Sequence, residues 1–181
     1  MKILTLYYSE TGQTEKIAKA IHSSIPEDYE KNINKLTETS PTDLDEFDLV
    51  FIGTPCHSSD LAKKVIKFLE KVNPNPKFKL AGFLTHASYG PDKEGYEAVY
   101  EKWVGKCKTT FETISSEKKM DFLGFFGCMG APSVPIEGFI KKHAIPSESE
   151  FEDYLAIARE KPDAEDIENA KKFAQAILQK M

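Results

Sequence analysis

Residues 3–25 read ILTLYYSETGQTEKIAKAIHSSI. Ile3 to Tyr8 is a short apolar run broken only by Thr5, the pattern of a strand buried on both faces. Ile17, Ile21 and Ile25 then recur every four residues and mark one face of a helix. Between the two stands a polar turn, Ser9-Glu10-Thr11-Gly12-Gln13-Thr14, with three hydroxyls and one glycine. A buried strand, a polar turn and an amphipathic helix in direct succession form the opening unit of an α/β domain.

The same alternation continues outward. Tyr29 to Leu36 alternates weakly and carries charges, as an edge strand does. Leu49 to Gly53 reads as a second buried strand, followed by a helix marked by Leu61, Val65, Phe68, Leu69 and Val72, with Ser58 or Ser59 as its cap. Leu80 to Ala87 and Phe122 to Cys128 are two further strands, separated by a long helical stripe of Tyr96, Val99, Tyr100, Trp103, Cys107, Phe111 and Ile114. Asp163 caps the last helix, whose face is Ile167, Ala170, Ala174, Ile177 and Leu178. Residues 129–162 are left over. They predict two short helices, Ile136 to Lys142 and Ser147 to Arg159, the second opening on a Ser147–Glu150 capping box.

The expectation is one α/β domain over residues 1–181, a doubly wound five-stranded parallel sheet of order 2-1-3-4-5, with 129–162 inserted before the last helix. In that order the chain reverses direction between the first and third strands, and ligands bind outside the carboxyl ends of the strands there. Ser9 to Thr14, Thr54 to Ser59, Thr85 to Gly90 and Cys128 to Ala131 are thereby marked as the loops to inspect.

Composition bounds the function. With 181 residues, folding buries roughly 70% of the chain's surface, enough for a core without staples. The net charge is −5, which argues against a nucleic-acid footprint. Cys56, Cys107 and Cys128 are an odd set with no metal spacing, so no disulfide framework and a reducing cytoplasm are expected. No apolar run is long enough to span a bilayer, and neither metal-binding motifs nor glycine-lysine phosphate loops occur. Residues 144–170 hold nine acids and two bases, which leaves the rest of the chain about +2.

The first loop has the chemistry of an anion site. Backbone N–H groups at a helix N-terminus point at an anion, and the helix dipole favours negative charge. Ser9, Thr11 and Thr14 add hydroxyl donors, and Gly12 permits close backbone approach. The loop contains no lysine or arginine, so a phosphate here would be held by neutral donors. That suits a resident monoester better than a transferable triphosphate.

The stretch LYYSETGQTEKIAKAI resembles the phosphate loop and first helix of the flavodoxin superfamily. VFIGTPCHSS resembles that family's second flavin loop and FLTHASYGPDKEGYEAV its third. LGFFGCMGAP and REKPDAEDIENAKKFAQAI resemble the later segments of small flavodoxin-like proteins of anaerobes. The resemblance spans nearly the whole chain and implies bound FMN. Its phosphate would lie on Ser9, Glu10, Thr11, Gly12, Gln13 and Thr14, with the ring between Thr54, Pro55, Cys56, His57 and Ser58 on one side and Thr85, His86, Ala87, Ser88, Tyr89 and Gly90 on the other. Tyr89 is the expected stacking aromatic and His57 the candidate for the opposite face, while His86 is expected to be satisfied by a backbone carbonyl. The chain departs from the family in having neither a tryptophan nor a glycine between Pro55 and Asp60. Cys56 and Cys128 fall at strand ends near the expected ring but read best as small packing residues, and Cys107 as core.

The implied activity is electron transfer between a reductase and partner redox proteins, such as a bilirubin reductase, without catalytic residues or a metal of its own. Two alternatives stay open: an FMN-dependent NAD(P)H or quinone-linked oxidoreductase with 129–162 roofing a substrate pocket, and a binding module for another phosphate ligand. The acidic stretch is an expected face for a basic partner, although helix capping explains most of it.

Overall fold

A computed structural model of residues 1–181 shows one sheet with helices on both faces. The strands are β1 (Lys2–Tyr7), β2 (Glu30–Lys35), β3 (Leu49–His57), β4 (Asp60–Leu61), β5 (Lys79–His86) and β6 (Asp121–Met129). The main path runs β2-β1-β3-β5-β6, all parallel, while two-residue β4 folds back antiparallel on the end of β3. The principal strands thus take the expected order. The helices are α1 (Gln13–Ser24), α2 (Lys63–Leu69), α3 (Glu97–Tyr100), α4 (Lys106–Lys118), α5 (Val134–His143), α6 (Glu148–Ala158) and α7 (Ala164–Leu178).

Side chains on alternate sheet positions divide the core in two. Leu4, Leu6, Val50, Ile52, Leu80 and Leu84 point to the face covered by α2 and α4, where they meet Val65, Phe68, Cys107 and Phe111. Ile3, Phe51, Ala81, Phe83 and Cys128 point to the opposite face, onto Ile17 and Ile21 of α1 and Ala170, Ala174 and Ile177 of α7. Ile17 and Ile21 are fully buried, worth roughly 2–3 kcal/mol each in apolar surface removed from water. Gly53 is fixed by packing, since a Cβ there would lie 2.1 Å from the Phe83 ring. The edge strand β2 alternates exposed and half-buried residues, consistent with its charged sequence.

Four local expectations change. β3 runs on to His57 and reverses, so Ser58 and Ser59 do not cap a helix. They are the two turn residues of the β3–β4 hairpin, with φ of 52° and 65°. Both central residues of such a two-residue turn need positive φ. α2 begins only at Lys63, without a side-chain cap. The long helical stripe holds a π-turn at Glu101–Gly105 between α3 and α4. Trp103 and Val104, within that turn, both line one cavity. Ser147 makes no capping box; its hydroxyl meets Ser149 Oγ instead. Asp163 does cap α7, accepting from the N–H groups of Glu165 and Asp166 while Asp166 accepts from Asp163 N–H.

Between β6 and α7, helices α5 and α6 build a small third core of Met129, Ile140, Ile145, Phe151, Tyr154 and Ala158. Tyr154 is 1% exposed. Its hydroxyl donates to the Ala87 carbonyl at 2.7 Å, which pins α6 to the loop after β5.

Candidate functional site

The carboxyl ends of β1, β3, β5 and β6 enclose a cleft of about 400 Å³. Loop one supplies Glu10, Thr11, Gln13 and Thr14, loop two Pro55, Cys56, His57 and Ser58, and loop three Thr85, His86 and Ala87. Gly130, Ala131, Pro132, Ser133, Pro135 and Ile136 complete the wall.

Loop one leaves the start of α1 uncapped. Gly12, with φ of 86°, precedes α1, and no side chain caps the helix. The first backbone bond of α1 runs from Lys16 N–H to the Gly12 carbonyl. The N–H groups of the turn before it have no intrahelical acceptor. Ser9 does not line the cleft; its Oγ accepts the Gly12 N–H at 3.1 Å and so holds the loop's shape. Thr14 and Thr85, both buried, meet hydroxyl to hydroxyl at 2.7 Å. One proton closes that pair and the other is left over for an incoming acceptor. Gln13 Oε1 is buried and has no hydrogen-bond partner. Gly130 sits at a close approach, where a Cβ would come within 3.1 Å of Gln13 Cβ and 3.3 Å of Thr85 Cβ. Its N–H donates to the His86 carbonyl at 2.8 Å, tying the β6 loop to loop three.

No lysine or arginine lines the cleft. Its one acid, Glu10, accepts from the Tyr8 hydroxyl and lies 3.5 Å from His57 Nε2. Tyr8 meets the His57 ring edge-on, with centroids 6.4 Å apart, and Lys64 Nζ sits 4.9 Å from the Tyr8 centroid. Tyr8 thus orients loop-one and loop-two groups, although its place at the end of the strand run reads as core.

The β3–β4 hairpin is anchored from below. Asp60 Oδ1 accepts from Thr110 Oγ1 at 2.6 Å and from Leu61 N–H at 2.8 Å, and Lys106 Nζ lies 2.6 Å from Oδ2. Burial acts to raise the Asp60 carboxyl, but the Lys106, Thr110 and Leu61 bonds outweigh it and hold the pKa below the ordinary value. Thr54 is fully buried and does not reach the cleft; its Oγ1 accepts the Ala62 N–H at 3.1 Å.

His86 stands between this cleft and a second cavity, lining both. Its Nδ1 donates to the Ser88 carbonyl at 3.1 Å, which leaves Nε2 as the acceptor nitrogen. Burial pushes its pKa down to about 4, so the ring is neutral at pH 7. The second cavity is apolar, about 230 Å³, and lies under α5 and α6. Ser88 and Tyr89 line this cavity and not the cleft, and Gly90 lines neither. The Tyr89 ring meets Tyr96 at 4.6 Å and Tyr154 at 5.6 Å, both edge to face.

The cysteines are packed. Cys56, half-buried, donates its thiol to the Trp103 carbonyl and accepts from Cys107 Sγ at 3.4 Å. The hydrogen bond to Cys56, with burial, pushes the Cys107 thiol up, and burial does the same to Cys128. Neither Cys107 nor Cys128 is a ready nucleophile. No group of three His, Cys, Asp or Glu side chains could hold a metal ion.

Of the residues marked from sequence, the fold gathers Glu10, Thr11, Gln13, Thr14, Pro55, Cys56, His57, Ser58, Thr85, His86 and Ala87 on the cleft. Ser9, Gly12 and Thr54 are not among its lining residues. The stretch from Gly130 to Ile136 was marked only at its start; the signal was its position after the last strand.

A family model described as a flavodoxin domain matches residues 4–175. The chain is 28% identical over 186 residues to the flavodoxin-like domain-containing protein BilS of Clostridioides difficile, covering 98% of this chain and 97% of that one. It is also 28% identical over 183 residues to an uncharacterized protein of Methanocaldococcus jannaschii, covering 98% and 99%. Among solved structures, oxidised flavodoxin 2 of Bacillus cereus superposes with a TM-score of 0.67 over the full length of both chains, at 21% identity. With the sheet order and a match of this length in agreement, the chain belongs to the flavodoxin family.

Proposed function

We propose that the chain binds FMN in the 400 Å³ cleft and passes electrons between a reductase and a partner redox enzyme. The observation that carries this reading is loop one: an uncapped helix N-terminus beside a buried, unpartnered Gln13 Oε1, with no cation on the wall. The residues fit the group. The free N–H groups at the start of α1, the Thr11 hydroxyl and the one proton left over in the Thr14–Thr85 pair would hold the phosphate. Gln13 Oε1 would accept from a ribityl hydroxyl, while Pro55, His57, Ser58 and Ala87 would offer apolar and polar surface to a flat ring. Bound there, FMN would supply reversible electron uptake and release.

The chain's own contribution is position and electrostatics. Asp60 holds the hairpin through α4, Tyr8 and His57 hold Glu10, and neutral His86 keeps positive charge away from the ring side of the cleft. Absence of cations disfavours an anionic reduced flavin and so supports outward transfer at low potential. The exposed Glu150, Glu152 and Asp153 on α6 carry no ion pair in the structure and are the proposed meeting face for a basic partner. The chain purified from an expression host should be yellow, with one FMN per chain, reduced readily by a flavin reductase and slowly by NAD(P)H alone. A colourless chain that refuses added FMN would overturn the reading. One observation favours the oxidoreductase alternative, the apolar cavity beside the cleft; rapid steady-state NAD(P)H oxidation with a quinone would select it.

A further inference from the structure

We propose that Cys56 and Cys107 form a redox-active thiol pair, which a peroxide converts into an intramolecular disulfide at the wall of the cleft. Their sulfur atoms lie 3.4 Å apart although 51 positions separate them in the chain. Cys107 is fully buried in the core under α4. Cys56 is half-buried and lines the cleft. One thiol is therefore open to a small oxidant, and the other stands directly behind it. Cys128 does not compete, because it packs on the opposite face of the sheet.

The surrounding contacts hold the two sulfurs together. Leu61 pairs with Cys56 across the β3–β4 hairpin, and its neighbour Asp60 reaches α4. There Asp60 meets Lys106 at 2.6 Å and Thr110 at 2.6 Å. Lys106 directly precedes Cys107, and Thr110 stands one turn further along the same helix. Hairpin and helix are thus fastened beside the sulfur pair. Groups held in contact in this way react as if at very high local concentration.

The chemistry balances with hydrogen peroxide as oxidant. The Cys56 thiolate attacks one peroxide oxygen, the O–O bond breaks, and the departing hydroxide takes up the proton that Cys56 gave up. Cys56 is then a sulfenic acid. The Cys107 sulfur attacks the Cys56 sulfur, the S–O bond breaks, and the hydroxyl leaves with the Cys107 proton as water. Two thiols lose two electrons and two protons, and the peroxide becomes two waters. The hydrogen bond to Cys56, with burial, pushes the Cys107 thiol up, so Cys107 resolves the sulfenic acid and does not start the reaction. Oxidation removes the proton that Cys56 donates to the Trp103 carbonyl and draws the sulfurs to about 2 Å. In a reducing compartment such a bond is transient and signals a change of conditions.

The full chain, without flavin, is treated with hydrogen peroxide and then with dithiothreitol. Intact mass should show the loss of two hydrogen atoms, reversed by the reductant, and peptide mapping should join Cys56 to Cys107. Trp103 is the single tryptophan and its fluorescence should fall and recover in step. Cys107→Ala should leave Cys56 as a sulfenic acid that dimedone traps, at least about tenfold more than in the unaltered chain. Cys107→Ser carries the same expectation should Cys107→Ala not fold. No disulfide, a disulfide through Cys128, or equal dimedone trapping with and without Cys107 would overturn the proposal. Its consequence for the cleft rests on the FMN reading: the oxidised chain should bind FMN at least about fivefold more weakly than the reduced chain. Equal affinities would overturn that consequence. A chain that takes up no FMN in either state would defeat the FMN reading alone, because the disulfide is read without flavin.

Discussion

Lowering the pH from 7 to 5 should weaken the fold by about 2 kcal/mol through His86 alone. The ring is buried, its Nδ1 proton is committed to the Ser88 carbonyl, and its pKa is depressed from 6.5 to about 4. Above pH 6.5 the ring is neutral in both folded and unfolded chains and the stability it permits is fully present. Between 6.5 and 4 the unfolded chain takes up a proton that the folded chain refuses, so stability falls as the pH falls. Below about 4 both states are protonated and the loss is complete, at about 3 kcal/mol for a depression of this size. Urea unfolding at pH 7, 6 and 5 measures the slope. His22 is also depressed, by burial first and by Lys31 second, so the comparison is with His86→Gln, which keeps a side-chain N–H donor and cannot titrate. The difference between the two slopes isolates His86. Parallel slopes, or an NMR titration placing His86 near 6.5, would refute the burial assigned to it.

Gly53→Ala should destabilise the protein by about 2 kcal/mol and lower the melting temperature by roughly 4–8 °C, because the new methyl group meets the Phe83 ring at 2.1 Å. Asp60→Ala should cost about 2 kcal/mol by cutting the bonds to Thr110, Leu61 and Lys106, and hydrogen exchange should rise selectively in the hairpin around residues 56–61. The Asp60 pKa is depressed, so its stabilisation is present above the ordinary carboxylate range and fades as acid protonates it; Asp60→Ala should remove that part of the acid sensitivity. Neutralising Glu150, Glu152 and Asp153 together should slow electron delivery to a basic partner several-fold at low salt, with no change in 0.5 M salt or in FMN affinity. Stopped-flow rates at two salt concentrations decide it, and equal rates would return the acidic stretch to helix capping alone.

The sheet was legible because its information is local. Apolar runs such as Leu49 to Ile52 and the four-residue spacing of Ile17 and Ile21 determine element type, and alternation of strand and helix determines parallel order. The same is true of loop one, whose hydroxyls, glycine and helix start are contiguous. What escaped depends on non-local geometry. Ser58 and Ser59 look like a helix cap until β3 is seen to extend to His57 and turn back. The π-turn at Glu101–Gly105 leaves no mark in a stripe whose spacing fits an ordinary helix. Tyr89 is the expected stacking aromatic by loop position, and its contacts with Tyr96 and Tyr154 on the wall of the apolar cavity could not be read from that position. Tyr154 lies 67 residues from the Ala87 carbonyl it binds, and nothing in its own helix announces that partner. The Thr54 hydroxyl was similarly claimed by the Ala62 N–H eight residues on.

Phosphate anchoring at the start of α1 is tested most directly by comparing FMN with riboflavin, which differ only in the phosphate. Quenching of flavin fluorescence on titration with ligand-free chain gives both affinities. If the free N–H groups of α1, the Thr11 hydroxyl and the one proton left over in the Thr14–Thr85 pair hold the phosphate, FMN should bind at least about 100-fold more tightly, the worth of roughly two charge-assisted hydrogen bonds. The preference should persist at high salt better than a lysine-based site would allow, because no cation lines the cleft. Riboflavin binding within threefold of FMN, or no binding of either, would contradict it.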